Sequence, residues 1–433
     1  MTRIRSDNMS ESIEHKCPSC GASLQFDVSS QMVKCPYCDC EFSVEAMMAN
    51  EGDLTVDAVD LANDAGMDWS EAELYGMTEY QCQSCGGAIY SDETTSATLC
   101  PYCGNAVILK GRLSGTLKPD KVIPFQKSKE QALEGLNKYF GGKRFVNKNF
   151  LQSYKIDEVK GLYVPFWVYD AELDGHVEYQ GVNEKTWTVG DTEYTERKYY
   201  RVIREGDIAF DHVPADGSSK MPDDLMESIE PFDYDKAVDF TTGYLTGFVA
   251  DKYDVDQDAV RPRIRKRMEE GTADQFRTTV HYDEVYTQGT TISAKKSEVN
   301  YVLYPVWMFS TQWQDKILSF AMNGQTGKMV GNLPADMLKL VSATLGIFIG
   351  LGLLFTVGAY FVFEEFDIGV AIGAFILSGI IAAAFYAYFK GQLRTVEFQH
   401  GAHEYYRPNS MNLRVKEDQF LYKRTSTRRI NHN

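Results

Sequence analysis

Cysteine spacing carries the clearest chemistry in this 433-residue chain. Eight of its nine cysteines fall into two matched frames, Cys17-x2-Cys20-x14-Cys35-x2-Cys38 and Cys82-x2-Cys85-x14-Cys100-x2-Cys103. A structural zinc ion takes four soft ligands in a tetrahedron, and a CxxC turn brings two thiolates to one ion. Gly21 and Gly86 follow the first pair of each frame and supply the backbone freedom such a turn needs. The fourteen intervening residues suffice for a short hairpin, and Leu24 to Val28 alternates as a strand does. The spacing predicts two zinc ribbons, each holding one Zn2+. Cys40 is left as a spare thiol, or as a substitute for Cys38. The matched gaps, with no βαβ pattern around them, argue against a thioredoxin-like redox pair. Unoxidised thiols place the frames in a reducing compartment.

Charge decides what such ribbons can touch. Phosphate binding needs clustered Lys and Arg. Lys34 is the single basic residue between Cys17 and Cys40, and none lies between Cys82 and Cys103. From Glu41 to Tyr80 there are eleven acids and no Lys or Arg. This surface repels polyphosphate, so the ribbons are expected to bind protein or to be purely structural, with no nucleic acid as partner.

The elements that must carry the ribbons follow from hydropathy. Leu340–Phe363 and Ile368–Phe389 are uncharged runs of 24 and 22 residues, separated by Glu364, Glu365, Phe366 and Asp367. As helices they are roughly 33–36 Å long, enough for a hydrocarbon core of about 30 Å. A transmembrane hairpin is expected. Its glycines at 346, 350, 369 and 373 have the small-x3-small spacing that lets helices approach. Lys339, Lys390 and Arg394 flank the hairpin and its turn is acidic. The positive-inside rule then keeps both termini cytoplasmic, in a multi-pass protein of the cell's inner membrane. Residues 1–16 lack the apolar core of a signal peptide. The spans hold no ionisable group, which points to an anchor and away from an ion pathway. Residues 390–433 carry nine Lys/Arg against four Asp/Glu, a net +5 that leaves −22 of the total −17 to the rest. This tail, with Arg424, Arg428 and Arg429, is expected near anionic lipid or in solvent, with Gln419–Tyr422 open to strand pairing.

The middle of the chain mixes helix and strand. Ser128 caps an expected helix with apolar positions 132, 133, 136, 139 and 140, and Gln257 to Glu270 reads as an Arg-rich helix. Val177 to Tyr200 alternates like a strand. Tyr163-Val-Pro-Phe-Trp167 and Tyr304-Pro-Val-Trp307 repeat one theme. That repeat suggests two related β-halves, or two edge strands where Pro is tolerated. Trp167 and Trp307 are expected as core anchors. Phe309–Trp313 and Ile317–Met322 form a hairpin, and Asn323-Gly324 a tight turn. Gly324-Gln-Thr-Gly-Lys328 has too few residues between its glycines for a phosphate loop. No HExxH, GxSxG or comparable set is present, His212 reads as packed or surface histidine, and His400 with His403 as a solvated pair. An enzyme is not expected. Ser70 and Glu73 form a capping box in the acidic linker.

Taken together, these strings resemble the bacterial membrane zinc-ribbon proteins of the YdjG type. The resemblance rests on the paired ribbons, on Gly115-Thr-Leu-Lys-Pro-Asp120, Val122-Ile-Pro-Phe125 and Lys160-Gly-Leu-Tyr-Val-Pro-Phe-Trp167. Asp216-Gly-Ser-Ser-Lys-Met221, Ser228-Ile-Glu-Pro-Phe-Asp-Tyr234 and Phe320 to Lys328 complete it. It covers nearly the whole chain. It implies a membrane-bound partner in phage-shock-type envelope stress, beside PspA-like coat proteins and SPFH or virion-core-like proteins. The expected architecture is multidomain α+β. A flexible N-terminus (1–16) precedes ribbon one (17–40), an acidic, partly helical linker (41–79) and ribbon two (80–110). A β-rich mixed cytosolic domain (111–335), the hairpin (336–391) and a basic tail (392–433) follow. The expected function is a membrane-anchored adaptor that recruits a cytosolic protein. The alternatives are a membrane-tethered nucleic-acid binder and an enzyme with a site hidden in the middle domain.

Overall fold

The structure, a computed structural model, describes residues 64–92, 99–141, 143–153, 159–245, 247–314, 316–363, 368–396 and 401–429. Of the N-terminal part it describes 17, 22, 25–27, 32–38, 40–42, 61 and 62. The expected flexible N-terminus, Cys20, the acidic turn 364–367 and His400 lie outside the described residues.

Four long strands build the frame: Val159–Val189, Thr192–Asp216, Glu284–Trp313 and Asn412–Arg429. They belong to a 12-stranded sheet, and Gln25–Asp27, Met32–Lys34 and Glu41–Phe42 form a separate three-stranded one. Among the described residues there are also seven α-helices, so the fold is mixed and sheet-rich. Val159–Val189 is an internal strand. It runs antiparallel to Glu284–Trp313 on one side and, from Phe166 onward, to Thr192–Asp216 on the other. Its alternating Val177 and Tyr179 are buried against helix Gln257–Arg277. That helix presents Val260, Ile264, Met268 and Phe276 at the spacing of one helical face. Gly175 lets the two approach, since a Cβ there would lie 2.7 Å from the Thr272 methyl.

The repeated Pro-Trp theme marks an internal duplication. Each half runs short strand, capped helix, long strand, return strand. The first half is Lys121–Val122, Lys129–Gly141, Val159–Val189 and Thr192–Asp216. The second is Val249–Asp251, Gln257–Arg277, Glu284–Trp313 and Lys316–Asn323. Each short strand pairs in parallel with the other half's long strand: Val249 with Leu162, and Lys121 with Val302. Trp167 Nε1 donates to Val255 O, and Trp307 Nε1 to Lys127 O, both at 2.9 Å. Each acceptor directly precedes a helix cap, Asp256 or Ser128, whose side chain accepts from the third helical amide. Gly217 N reaches Pro165 O and Gly324 N reaches Pro305 O, both at 2.8 Å. The two tryptophans are therefore core anchors that lock one half to the other.

The prolines are not on edge strands, which corrects that alternative. Strand Val159–Val189 exchanges partner Val249–Asp251 for Thr192–Asp216 between Tyr163 and Phe166. Glu284–Trp313 likewise exchanges Lys121–Val122 for Lys316–Asn323 between Leu303 and Val306. Pro165 and Pro305 sit in these gaps, where a missing amide breaks no ladder bond.

Helices Met337–Phe363 and Ile368–Leu393 are long and apolar enough to cross a membrane. Their apolar side chains point outward (Leu338 82%, Phe361 75% and Ile368 70% exposed), unlike those of a buried helix pair in a water-soluble core. The expected glycine spacing does not make the contact between them. Nothing lies within 4 Å of a Cβ built at Gly346, Gly350 or Gly373. Gly352 meets the Phe375 ring instead, and Phe348 stands edge-on to Phe375 at 5.6 Å. The hairpin leaves and re-enters the sheet domain at one place. Leu333 N donates to Leu393 O (3.0 Å), and Tyr139 Oη meets Thr395 Oγ1 (2.6 Å).

Among the described residues beyond the hairpin, Asn412–Arg429 forms a strand rather than a tail. Asn412–Arg429 pairs along Thr192–Asp216, from Asn412/Asp207 to Arg429/Thr192. Arg424, Arg428 and Arg429 stand exposed on this edge strand rather than in a free segment.

Candidate metal centres

The second cysteine frame forms a closed set of four. Cys82 Sγ lies 3.6 Å from Cys103 Sγ, Cys85 Sγ lies 3.6 Å from Cys100 Sγ, and all four fall within 4.8 Å. A disulfide would need about 2.05 Å. A tetrahedron with metal–sulfur bonds of about 2.3 Å puts its sulfurs about 3.8 Å apart. The spacing fits one ion and excludes a disulfide.

Two like turns present the sulfurs. Cys82 N donates to Gly87 O (2.9 Å) and Gly86 N to Cys82 O (2.9 Å), while Cys100 N donates to Asn105 O (2.7 Å) and Gly104 N to Cys100 O (3.0 Å). Gly86 and Gly104 take φ of +75° and +72°, a backbone that favours glycine. Asn105 Nδ2 also donates to Cys103 Sγ at 3.4 Å. Burial pushes the Cys85 and Cys100 thiols up. For Cys103 burial acts the same way, but hydrogen bonds from Asn105, with those to Cys82 and Cys85, together outweigh it and lower the thiol to about 7. A dication would supply the charge that deprotonates the whole set.

This frame is stitched into the large sheet. Met77–Cys82 lies between Ala88–Asp92 and Val107–Arg112, and Ala88–Asp92 continues onto Val249–Asp251. Tyr102 packs in one core with Leu162, Phe166 and Ile89. The Ser310 hydroxyl meets the carbonyls of Pro101 and Tyr102 at 3.3 Å. No break in the sheet falls at the expected 110/111 boundary. The described C-terminal part of the linker is built in too: Leu61 and Ala65 are buried, and the Ser70–Glu73 capping box forms at helix Glu71–Tyr75.

In the first frame, Cys17, Cys35 and Cys38 cluster within 4.8 Å, with Cys17 and Cys38 at 3.6 Å as in the second. The same backbone bonds recur, Cys17 N to Ala22 O (2.8 Å) and Cys35 N to Cys40 O (2.9 Å). Cys40 is buried at the position Asn105 holds in the second frame, and its sulfur is not in the cluster. Both frames could hold metal ions.

The other sequence candidates resolve into internal contacts. Arg263 pairs with Asp216 (2.5 Å) and Asp223 (2.7 Å), and Arg265 bonds Ile292 O (3.3 Å). Arg267 is buried on Glu230 (2.7 Å). The Arg-rich helix therefore faces acids of its own chain. Asn323 and Gln325 hold the segment around Glu230: Asn323 Nδ2 reaches Ile229 O (3.0 Å) and Pro231 O (3.1 Å), and Gln325 Oε1 accepts from Asp233 N (2.8 Å). The Asn323–Lys328 turn thus clamps protein backbone. His212 stacks on Tyr234 at 3.9 Å, with Nδ1 3.0 Å from Asp170. Trp187 stacks on Tyr194 across the hairpin of the two first-half strands (5.6 Å).

Sequence reasoning missed a set of buried carboxylates. Burial, opposed by Arg263, raises Asp216 to about 6. Burial raises Glu227 and Asp251 to about 7. Their acidic neighbourhood was visible in the sequence only as strings whose partners lie far along the chain.

Among known proteins, the chain is similar to an uncharacterized protein, YdjG, of Bacillus subtilis strain 168. The two are 32% identical over 336 residues, covering 77% of this chain and 94% of the relative. No protein-family model matches the chain, and no solved structure matches it. The alignment spans nearly the whole relative and reaches far beyond the two cysteine frames: the chain belongs to the YdjG family.

Proposed function

We propose that the protein is a membrane-anchored zinc-ribbon adaptor that recruits a cytosolic protein to the inner face of the cell membrane. The observation that carries this reading is the continuity between its two ends. The four-cysteine knuckle pairs into the same sheet that meets both ends of the apolar hairpin. A partner gripping the knuckle is thereby held at a fixed place relative to the bilayer. Zinc is the ion of choice for four thiolates at this spacing, and the first frame, completed by Cys20, takes a second. Lys339, Lys390 and Arg394 at the hairpin ends favour a cytoplasmic sheet domain, with both termini on that side. The acidic N-terminal part suits a partner with basic patches. An envelope-stress system with PspA-like or SPFH proteins is the setting the family resemblance suggests. The Arg-rich helix is engaged by its own acids, which argues against that helix as a nucleic-acid docking face.

Metal analysis and affinity capture test this together. Two zinc ions per chain are expected, falling to one in Cys82→Ser/Cys85→Ser. The intact protein, captured from membranes, should bring down a soluble protein that the double variant does not. Fewer than two ions in the wild type would remove the paired zinc sites. Capture that ignores the ribbon would remove the adaptor.

A further inference from the structure

The two halves match in backbone but not in what covers them. Beside Trp167, the segment around residues 61–67 lies across the approach to the capped helix. Gly66 N donates to Asp120 Oδ2 (2.9 Å), Ala65 N to Gln257 Oε1 (3.2 Å), and Met67 exchanges backbone bonds with Lys118 (3.0 and 2.7 Å). Leu61 and Ala65 are buried beneath it.

In the other half, Phe248 stands where Asp120 stands, one residue before the short strand. Lys129 stands where Gln257 stands, one residue after the cap. Here, among the described residues, the surface is open. It is a groove of about 660 Å³ beside Trp307. Phe125 and Phe248 stack in it at 4.4 Å, and Tyr163 lies edge-on to both at 5.0 and 5.7 Å. Gly161 makes the stack possible, because a Cβ there would overlap the Phe248 ring. Phe125 and Phe248 remain partly exposed, while their tryptophan neighbour is buried. Lys127 and Lys129 border the groove at the N-terminus of a 13-residue helix, whose dipole adds positive potential. Glu130, the acid in that first turn, is engaged by the Ser128 hydroxyl (2.8 Å).

We propose that this groove binds an extended segment of a partner protein, with an apolar side chain flanked by Asp or Glu. The occupant of the matching half is the template for the anchor: there the chain's own Leu61 and Ala65 are buried. The basic rim selects the acids, and the ring stack takes the apolar anchor. The inference rests on the adaptor reading and gives that adaptor a second point of grip, away from the cysteines.

The test is selection of a random 12-residue phage-displayed peptide library on the full-length protein in lipid nanodiscs. The selected peptides are then measured by fluorescence anisotropy. Enriched sequences should place Phe, Tyr, Trp or Leu beside at least two acids. Lys127→Glu/Lys129→Glu should weaken the best peptide about tenfold and remove most of its salt dependence. Lys129 is exposed and Lys127 half-buried, so zinc content should not move and melting temperature should change little. Phe248→Ala should weaken it too, and Arg428→Glu, on the distant edge strand, should not. Failure to enrich, enrichment of basic peptides, or binding indifferent to the lysine pair would each overturn the groove. So would a dimer of this chain that the lysine pair breaks. Ribbon-dependent capture, measured on the same variants, separates the two ideas. If it persists while the peptides fail, the groove falls and the adaptor stands.

Discussion

Arg267→Met should be among the most damaging single changes outside the cysteines. Glu230 is 0% exposed, and both its carboxylate oxygens face the guanidinium, at 3.2 and 2.7 Å. The Tyr405 hydroxyl donates to the same carboxylate (2.7 Å), and Arg267 also donates to Pro214 O (2.7 Å). Removing the cation leaves a buried carboxylate with one hydroxyl donor and orphans a carbonyl. Breaking one side of such a pair costs about 3–5 kcal/mol. Removing both charges is different, because the desolvation of two ions disappears with their attraction. Arg267→Met/Glu230→Leu should return to within about 2 kcal/mol of wild type, the remainder being the stranded Tyr405 hydroxyl and Pro214 carbonyl. Urea unfolding of the full chain in nanodiscs, followed by the fluorescence of buried Trp167 and Trp307, measures this. A loss under about 1 kcal/mol for Arg267→Met would refute the reasoning. So would a double variant as unstable as the single one.

Three further outcomes follow from the same packing. Trp167→Phe and Trp307→Phe each remove one indole bond between the two halves. They should cost similar amounts, about 2–4 kcal/mol each with the lost volume, and unequal losses in urea unfolding would argue against equivalent locks. Glu227 is raised to about 7 by burial. In the unfolded chain it releases its proton near pH 4, so its contribution is full below that pH and is lost as pH rises through about 7. Glu227→Gln should therefore gain stability relative to wild type between pH 4 and pH 7, and a pH-independent gap would contradict the shift. Deleting residues 408–433 uncovers the edge of Thr192–Asp216, and size-exclusion chromatography should show self-association. A truncated protein that stays at its original size would show that this edge is protected by other means.

What could be read from the sequence was whatever chemistry or local geometry dictates within a few residues. The CxxC spacing, the Ser70 and Ser128 caps and the Asn323-Gly324 turn are of this kind. So is the apolar face at Ala132, Leu136 and Phe140. The Pro-Trp repeat was legible as two β-halves, yet its meaning was not. Pro165 and Pro305 suit gaps between neighbouring strands, and no local pattern reports which strands flank a gap. The strand Asn412–Arg429 was hidden for a related reason. Most of its side chains are exposed on both faces, so the period-two signal that burial imposes is weak. Its charges therefore suggested a solvated tail. The union of the second ribbon with the large sheet was equally silent, because backbone pairing across Ala88–Asp92 and Val249–Asp251 needs no particular side chain. In the hairpin, glycine spacing pointed to Gly346 and Gly350, whereas Phe375 packs where a ring finds room, at Gly352.

The duplication also explains where the added parts attach. A sheet made of two equivalent halves begins with equivalent free edges at its two short strands. At Val249–Asp251 that edge receives Ala88–Asp92 and with it the cysteine knuckle. At Lys121–Val122 it receives, among the described residues, the two-residue strand Val238–Asp239. The helices diverge in the same way. Lys129–Gly141 shares its core with Leu333 and Leu393, at the two ends of the hairpin, while Gln257–Arg277 packs on Ala402 and the segment that leads back to the sheet. One half carries the apolar hairpin, and the other supports the cysteine cluster. The tryptophan bonds tie the two halves together, and the knuckle joins them through paired strands rather than through a linker. A flexible tether would capture a partner anywhere within its reach. On the adaptor reading, a knuckle built into the same sheet as the hairpin ends would instead hold a partner in one position and orientation.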